Sequence, residues 1–252
     1  MAIKKTKLNH WGIGLNTFAL NEYLEIIEKK IIDKDEIIVQ TGVNAHTVVC
    51  IQKDDVLRET INKSTLVNID GMPVAWALRF LGHKEVSKVS CPDIFDELIK
   101  LAAQKHFRPF FLGTTPEILE KAIHKLNMAY PELQIAGSHH GFFDDIDSGN
   151  IAEQIKNSKA DMLFLGMTSP KKELFSEKYA DYMQVPYIFG VGGVFDILAG
   201  HIKRAPVWMQ KTGLEWFYRF IQEPKRMWRR YLIGNIQFIY YVLKEKNNLK
   251  KK

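Results

Sequence analysis

The sequence predicts an α/β fold in which a mostly parallel sheet carries helices on both faces and is followed by a basic, aromatic-rich helical appendage. Short apolar runs alternate with longer segments of helical spacing between residues 37 and 193, which is the rhythm of βαβ units. The charge balance changes sign near residue 202. We therefore predict an α/β domain over residues 1–202 and an appendage over residues 203–252.

The predicted strands are short apolar runs that end at a glycine or a polar loop. In chain order they cover residues 37–40, 66–69, 109–112, 162–165 and 187–189, with a short segment at 134–136 that leads to Gly141. The predicted helices have apolar residues at spacings of three and four, over residues 45–62, 73–81, 94–103, 115–126, 148–158 and 169–183. Thr115 followed by Pro116 is typical of a helix start.

Four segments that follow strands are the predicted site, because open α/β sheets bind ligands beyond the carboxyl ends of their strands. They are residues 41–47, 70–73, 166–173 and 190–196. The last has a GxGGxxD pattern, and its glycines suit either a phosphate cradle or a tight turn. Asp70 at a strand end suits either a functional residue or an Asp-Gly turn. The residues alone leave both alternatives open.

The last fifty residues differ in charge from the rest of the chain. They contain 13 Lys and Arg against 3 Asp and Glu, a net charge of +10, together with ten aromatic residues. The preceding 202 residues carry a net charge of −4. Such a segment can contact nucleic acid, an anionic membrane surface or a phosphorylated ligand. Solvated helix faces with a lysine-rich end are the simpler interpretation, above all for residues 250–252.

Several classes of protein are excluded by what the sequence lacks. Cys50 and Cys91 are too few for a disulfide framework, and no Cys or His spacing suggests a metal site. The first eight residues contain no apolar core of signal-peptide length. The apolar run over residues 231–243 is too short and too polar to span a bilayer. We therefore expect a protein that is neither exported nor integral to the membrane, in a reducing compartment.

Three motifs in the appendage resemble the signature of the WecG/TagA/CpsF glycosyltransferases. They are GHIKRAPVW from Gly200, GLEWFYR from Gly213 and EPKRMWRRY from Glu223, against a family pattern that reads roughly laGxxxRAPxw…glEWxyRl…ePxRxxRRy. The body of the chain agrees at Asn44, at Asp70-Gly71, at Gly113 and over residues 192–196. The resemblance covers about residues 35–232 in register.

The resemblance implies an inverting, metal-independent transferase of Rossmann-like fold. Such enzymes move a hexose, often of the N-acetylmannosamine type, from a UDP-sugar to a sugar on a polyprenyl diphosphate in cell-surface polysaccharide synthesis. We therefore expect no cofactor, no nucleic-acid partner, and peripheral attachment to the anionic cytoplasmic face of the bacterial plasma membrane. Asp70 occupies the position of the family's proposed general base. The other expected substrate-binding residues are Thr41, Asn44, Thr47, Lys88, Gly113, Lys172, Glu173, Gly192, Gly193, Asp196, Arg204, Arg219, Arg226 and Arg229.

The chain departs from the family pattern at four positions. Gly42 stands where the family often has Thr, Lys88 replaces an arginine, and Cys91 replaces a glycine. Lys172 replaces the glutamine of a PKQE motif. We expect Lys88 and Lys172 to line the donor site, where Lys172 would face a diphosphate, a uronate carboxylate or solvent. These changes leave open whether the donor is an N-acetylmannosamine-type sugar or a uronic acid.

Two other classes of function remain as alternatives at this stage. The glycine turn at residues 190–196 suggests a nucleotide-binding oxidoreductase, although the first βα unit lacks GxGxxG. The basic tail suggests a membrane-binding or nucleic-acid-binding module.

Overall fold

The computed structural model describes residues 7–251 and contains a parallel sheet at its centre. Within that range the sheet has six strands, in the order β4-β3-β8-β7-β5-β6, and all neighbouring pairs are parallel. Their bounds are β3 Ile38–Val43, β4 Leu66–Ile69, β5 Pro109–Gly113, β6 Gly137–His139, β7 Met162–Gly166 and β8 Tyr187–Gly190. The predicted α/β class is confirmed, and the five predicted apolar strands are present, whereas the segment at residues 134–136 precedes the sixth strand rather than forming it.

Helices cover both faces of the sheet, as predicted. The body contains α1 Leu20–Asp33, α2 Ala45–Ile51, α3 Asp55–Lys63, α4 Met72–Phe80, α5 Cys91–Lys105, α6 Pro116–Ala129, α7 Ser148–Ser158, α8 Lys171–Met183 and α9 Val194–Leu198. Side chains alternate between the faces along each strand. Phe111 and Phe164 therefore pack with α1, α5 and α6, whereas Leu163 packs with α7 and α8 on the opposite face. The ring centroids of Phe95 on α5 and Phe164 lie 4.9 Å apart.

The segment predicted as one helix over residues 45–62 is two helices, α2 and α3. The chain leaves the helix at residues 52–54, and the Asp54 carboxylate accepts a hydrogen bond of 2.9 Å from the Leu57 backbone N–H. An aspartate at this position starts a new helix because it satisfies a free N–H group of the first turn. Periodicity alone did not reveal the break, since the apolar spacing continues across it.

The N-terminal part contains elements that the strand pattern did not predict. A hairpin of β1 Lys7–His10 and β2 Ile13–Asn16 precedes α1. The Asn16 side-chain carbonyl accepts a 2.7 Å hydrogen bond from the Val67 backbone N–H and so joins the hairpin to β4. The first six residues of the predicted N-terminal segment and Lys252 of the predicted tail lie outside the described residues.

The C-terminal appendage is helical, as predicted. It contains α10 Val207–Lys211, α11 Glu215–Gln222, α12 Pro224–Trp228, a π-helical turn Arg229–Ile233 and α13 Gly234–Lys250. Helix α13 returns to the body and packs on α2, with Phe238 and Val242 buried in the same apolar cluster as Val48. Whether the domain boundary lies at residue 202 stays a prediction. Between residues 7 and 251 we find no helix with the length and apolar character needed to cross a bilayer.

Candidate functional site

The carboxyl edge of the sheet and the appendage together enclose a cavity of about 1590 Å³. Its lining comes from the loops that follow β3, β4, β5, β7 and β8 and from residues 201–237. Eleven of the residues predicted for the site line it: Asn44, Thr47, Asp70, Lys172, Gly192, Gly193, Asp196, Arg204, Arg219, Arg226 and Arg229. The four strand-end segments therefore converge on one space, and the appendage forms its opposite wall.

Asp70 lies at the end of β4 and is partly buried in the cavity wall. The backbone N–H of Cys91, at the start of α5, donates a 2.8 Å hydrogen bond to Asp70 Oδ1. The Asp70 backbone N–H donates to the Val43 carbonyl, 2.9 Å away, at the end of the neighbouring strand. These two contacts fix the carboxylate at the sheet edge, where it can receive a proton from a bound hydroxyl group.

Gly42 and Cys91 are packed against each other behind Asp70. A Cβ atom at position 42 would overlap Cys91 Sγ and would lie 3.1 Å from Asp70 Cβ. The Cys91 side chain is buried, and burial raises the pKa of its thiol well above the usual value. The departures at positions 42 and 91 therefore compensate for each other. The sulfur of Cys91 fills the space that a side chain at position 42 would need.

Asn44 and Thr47 hold the first turn of α2 at the cavity. The Asn44 side-chain oxygen accepts hydrogen bonds from the Thr47 backbone N–H at 3.2 Å and from the Thr47 hydroxyl at 3.3 Å. In return, the Asn44 backbone N–H donates to Thr47 Oγ1 over 3.4 Å. This reciprocal cap satisfies the helix start and gives both residues a structural role at the cavity wall.

Lys172 lines the cavity but turns its ammonium group into the protein. Its Nζ forms an ion pair with Glu173 Oε1 and donates a 2.6 Å hydrogen bond to Ser169 Oγ. The Ser169 hydroxyl donates to the same Glu173 oxygen at 2.7 Å. Both charged side chains are buried, and Glu173 Oε2 is buried without a hydrogen-bond partner among the residues that the structure describes. The pair carries no net charge, so Lys172 does not present a free cation to the cavity.

Two basic residues attach the appendage to the body. Arg204 forms an ion pair with Asp93 on α5, and its Nη2 lies 3.3 Å from Ser90 Oγ. The pKa of Asp93 is lowered, although burial opposes the shift, because its carboxylate accepts hydrogen bonds from Ser90 and Arg204. Lys88 Nζ lies 3.2 Å from Glu215 Oε2 on α11. Both basic side chains thus anchor the segment that closes the cavity.

Arg219 and Asp196 flank the glycine turn after β8. A Cβ at Gly193 would lie 3.5 Å from Asp196 Oδ2 and 3.7 Å from Arg219 Nη2. The Thr114 hydroxyl lies 3.4 Å from Asp196 Oδ1 and joins the turn to the loop after β5. Burial lowers the pKa of Arg219, and the nearby Glu223 opposes this shift. A guanidinium beside a glycine turn is an arrangement that suits a phosphate group.

The remaining predicted arginines are closer to the outer wall. Arg226 is exposed and forms an ion pair with Glu223, with 2.9 Å between Nη1 and Oε1. Arg229 is exposed and lies over the Trp228 ring, with its guanidinium carbon 5.1 Å from the ring centroid. Both line the cavity, so their charges face the same space as Asp70.

Four predicted site residues lie outside the cavity lining. Thr41 is buried on β3, where its hydroxyl contacts Ser64 Oγ at 3.2 Å. Gly113 is packed against the backbone of Gly166. Glu173 lies behind Lys172, and Lys88 is paired with Glu215. These residues support the wall from behind.

The structure adds cavity residues that sequence reasoning did not select. His46 follows the Asn44 cap by two residues, and Arg230 stands beside Arg229 in the third appendage motif. Lys171 donates hydrogen bonds to the carbonyls of Gly141 and Phe143, at 3.2 and 2.7 Å, and so fixes the loop at the rim. The double arginine was a usable signal for Arg230, whereas no spacing signal identifies His46.

Metal ligation has no support among the residues that the structure describes, where no group of three or more His, Cys, Asp or Glu side chains is placed to hold an ion. The cavity lining does include the appendage arginines Arg204, Arg219, Arg226, Arg229 and Arg230.

Comparison with known proteins identifies one family over nearly the whole chain. A sequence model of the Glycosyl transferase WecG/TagA/CpsF family matches residues 8–252. The chain is 31% identical over 231 residues to an N-acetylglucosaminyldiphosphoundecaprenol N-acetyl-beta-D-mannosaminyltransferase of Bacillus subtilis (strain 168), covering 92% of this chain and 89% of the relative. A protein of the same name from Staphylococcus aureus (strain MW2) is 33% identical over 193 residues, covering 77% and 74%.

Proposed function

This chain belongs to the WecG/TagA/CpsF family of glycosyltransferases, and we propose that it transfers an N-acetylmannosamine-type hexose from a UDP-sugar to N-acetylglucosamine on a polyprenyl diphosphate. It is a hexosyltransferase of cell-surface polysaccharide synthesis. The alternatives of an oxidoreductase and a nucleic-acid-binding module lose their support with this family membership. The observation that carries the proposal is the placement of Asp70 in a cavity whose opposite wall is lined by the appendage arginines.

Asp70 acts as the general base in the proposed reaction. A hydroxyl group of the acceptor sugar attacks the anomeric carbon of the donor and passes its proton to the Asp70 carboxylate. The bond from that carbon to the diphosphate oxygen breaks as the new glycosidic bond forms. A single displacement from the opposite side inverts the configuration at the anomeric carbon.

The appendage arginines that line the cavity stabilise the departing UDP. Negative charge develops on the diphosphate as the bond breaks, and guanidinium groups and backbone N–H groups of the glycine turn can receive it. Arg219 is the best placed of the appendage arginines, because its guanidinium lies beside Gly193. Arg204 contributes by holding the appendage against α5 through Asp93.

The buried pair in the cavity wall does not supply a free cation for a uronate donor. The Lys172 ammonium is already bound by Glu173 and Ser169. The name of the Bacillus subtilis relative gives an N-acetylmannosaminyl group as the sugar transferred, and we propose the same type of sugar here.

The outer surface of the appendage attaches the enzyme to an anionic membrane surface in this proposal. Exposed apolar side chains occur all along it, among them Trp208, Phe217, Trp228, Ile236, Ile239 and Tyr240. The same segment carries the net charge of +10. Apolar and aromatic side chains interleaved with Lys and Arg suit the boundary between lipid headgroups and water. A polyprenyl-linked acceptor requires contact with that boundary.

The test is a panel of UDP-hexoses offered with a short-chain prenyl-diphosphate-linked N-acetylglucosamine. The expected result is a new disaccharide lipid, seen by mass spectrometry, with UDP-N-acetylmannosamine as the best donor. The anomeric configuration of the product, read by NMR, should be the inverse of that of the donor. Absence of any disaccharide lipid with the whole panel would contradict the proposal.

A further inference from the structure

One corner of the cavity is formed by His46 and Arg230, two residues to which the proposed reaction gives no role. His46 lies in α2, and Arg230 lies in the π-helical turn that leads into α13. Helices α2 and α13 pack together, and both side chains line the cavity. Irregular π turns within helices are frequent at functional sites.

His46 is surrounded by positive charge from three other segments. Burial has the largest effect on its pKa, and the charges of Arg230, of Lys172 on α8 and of Lys53 in the turn after α2 add to it. On its own helix, His46 Nε2 lies 3.6 Å from Cys50 Sγ. These surroundings lower the pKa of His46 to about 4, so the imidazole of the free enzyme is neutral at pH 7.

Lys172 is neutralised by its ion pair with Glu173, which leaves Lys53 and Arg230 as the cations of this corner. Asp54 caps α3 through the Leu57 backbone N–H. Lys53 Nζ donates to a neutral acceptor, the Gln237 side-chain oxygen, at 2.9 Å. The corner therefore keeps an excess of positive charge that an anionic ligand would balance.

Arg230 carries a donor that the described residues leave unused. Its Nε is buried and has no hydrogen-bond partner among them, while its guanidinium carbon lies 5.7 Å from the centroid of the Tyr231 ring. Buried donors are almost always paired in folded proteins, because an unmade hydrogen bond costs free energy. Arg230 also lines the cavity, so an anionic oxygen bound there can accept hydrogen bonds from its guanidinium group.

We propose that His46 and Arg230 form a diphosphate-binding corner in which His46 takes up a proton from solvent as the anion binds. This inference rests on the proposed function, which supplies diphosphates in both the donor and the acceptor. The bound oxygens offset the charge of the surrounding cations and therefore favour imidazolium. Protonated His46 then donates a charge-assisted hydrogen bond beside that of Arg230. When no ligand is bound, the His46 imidazole is neutral and adds no further buried positive charge to the corner.

The test is isothermal titration calorimetry in two buffers of different ionisation enthalpy, which counts the protons that each complex takes up. One arm uses UDP-N-acetylglucosamine and the other a short-chain prenyl-diphosphate-linked N-acetylglucosamine. Neither probe titrates between about pH 5 and 7, because a diphosphate diester lacks the second ionisation of a terminal phosphate. Protons taken up therefore come to the protein, and the two arms show which diphosphate occupies the corner.

The expected uptake at pH 5.5 is roughly half a proton or more per complex, falling towards zero at pH 8. It should vanish in His46→Gln and persist in His201→Gln, a matched change in an exposed histidine that also lines the cavity. Arg230→Gln should weaken binding of the same probe by about tenfold or more. Circular dichroism would confirm that each variant is folded.

The outcomes separate this inference from the proposed function. Binding of a probe without proton uptake, or proton uptake that survives in His46→Gln, would contradict the proposed diphosphate-binding corner. It would not contradict the proposed transferase function. Failure of both probes to bind at any pH would overturn both.

Discussion

Lys172 and Glu173, neighbours in the sequence at the start of α8, form an ion pair inside the protein. Only 10% of the lysine side chain and 1% of the glutamate side chain is exposed. Ser169 contacts both charged groups and completes the cluster. The lysine that replaces a family glutamine is therefore a member of a buried pair rather than a free cation in the cavity.

Removing the cation of this pair should destabilise the protein. Lys172→Gln leaves a buried carboxylate unpaired, and we expect the free energy of unfolding to fall by roughly 3–5 kcal/mol, as for other broken buried pairs. The double variant Lys172→Gln/Glu173→Gln should lose less than the sum of the single losses, since it removes both charges. Urea unfolding measures all three.

The matched control is Lys178→Gln, which changes an exposed lysine on the same helix and should stay within about 0.5 kcal/mol of the parent. In folded Lys172→Gln we also expect a change in donor affinity or in preference among UDP-hexoses. Additive losses in the double variant would argue against the pair. An unchanged donor profile would leave Lys172 with a structural role alone.

The packing of Gly42 against Cys91 predicts a compensating pair of substitutions. Gly42→Thr should cost about 1–3 kcal/mol of stability, because the added side chain has no space beside the sulfur. Adding Cys91→Gly, which restores the family residues at both positions, should recover much of that loss. Thermal and urea unfolding of both single variants and the double variant measure the coupling. A double variant no more stable than Gly42→Thr would show that the two positions are independent.

Asp70→Asn should remove the general base and leave UDP binding unchanged. The Asn side-chain oxygen can still accept the hydrogen bond from Cys91, so we expect UDP to bind as before. Turnover should fall by roughly 10²–10⁴-fold, the usual effect of losing a general base. Calorimetry with UDP and a single-turnover assay separate the two effects.

Asp145→Asn serves as the control for this change, since Asp145 is exposed and lies outside the cavity lining. It should keep normal turnover. Full activity of Asp70→Asn would refute the assignment of the base.

Arg204→Ala should loosen the appendage. Without the contacts to Asp93 and Ser90, α10 and α11 lose an anchor on α5, and we expect faster amide hydrogen exchange in both helices. We also expect a higher KM, since the cavity wall is less often in place. Asp93→Asn should produce the same pattern from the other side of the contact.

Lys211→Ala is the charge-matched control for Arg204, because it removes one exposed cation from the same segment. It should leave the exchange rates of α10 and α11 as they were. If Arg204→Ala also left them unchanged, Arg204 would not be an anchor.

The terminal lysines should contribute to membrane attachment without contributing to chemistry. Replacing residues 250–252 by Gln removes three cations, each worth about 1 kcal/mol near an anionic surface. Sedimentation with anionic liposomes should therefore weaken, whereas activity on a short-chain acceptor in free solution should be retained. Equal sedimentation of variant and parent would assign attachment to the rest of the appendage.

Much of the fold was predictable because the core strands are short apolar runs with clear ends. Residues 66–69 and 187–189 are examples, and both are fully buried strands. The hairpin before α1 was not predicted, because its strands are not continuous apolar runs and gain their stability from contacts such as Asn16 with Val67. The break between α2 and α3 depended on one capping aspartate.

Most of the predicted site residues line one cavity, and their roles in binding and catalysis stay a prediction. Strand-end position identified Asp70 and the glycine turn, and both line the cavity. Lys88 was expected to line the donor site and Arg204 to bind substrate, yet their partners Glu215 and Asp93 lie 127 and 111 residues away in the sequence. No local pattern predicts such pairs.

By itself, the sequence determined the α/β class, the edge of the sheet at which the cavity lies, the family and the contrast between a nearly neutral body and a basic appendage. The family follows from the motifs that resemble it, and the other three follow from residue type and periodicity, which are local properties. Only the tertiary structure decided which cations are free and which are already paired, because pairing depends on atoms that folding brings together. It decided that Lys172, Lys88 and Arg204 are bound within the protein. It also left Arg230 beside His46 with a buried donor unused, because the return of α13 onto α2 places them in one corner of the cavity.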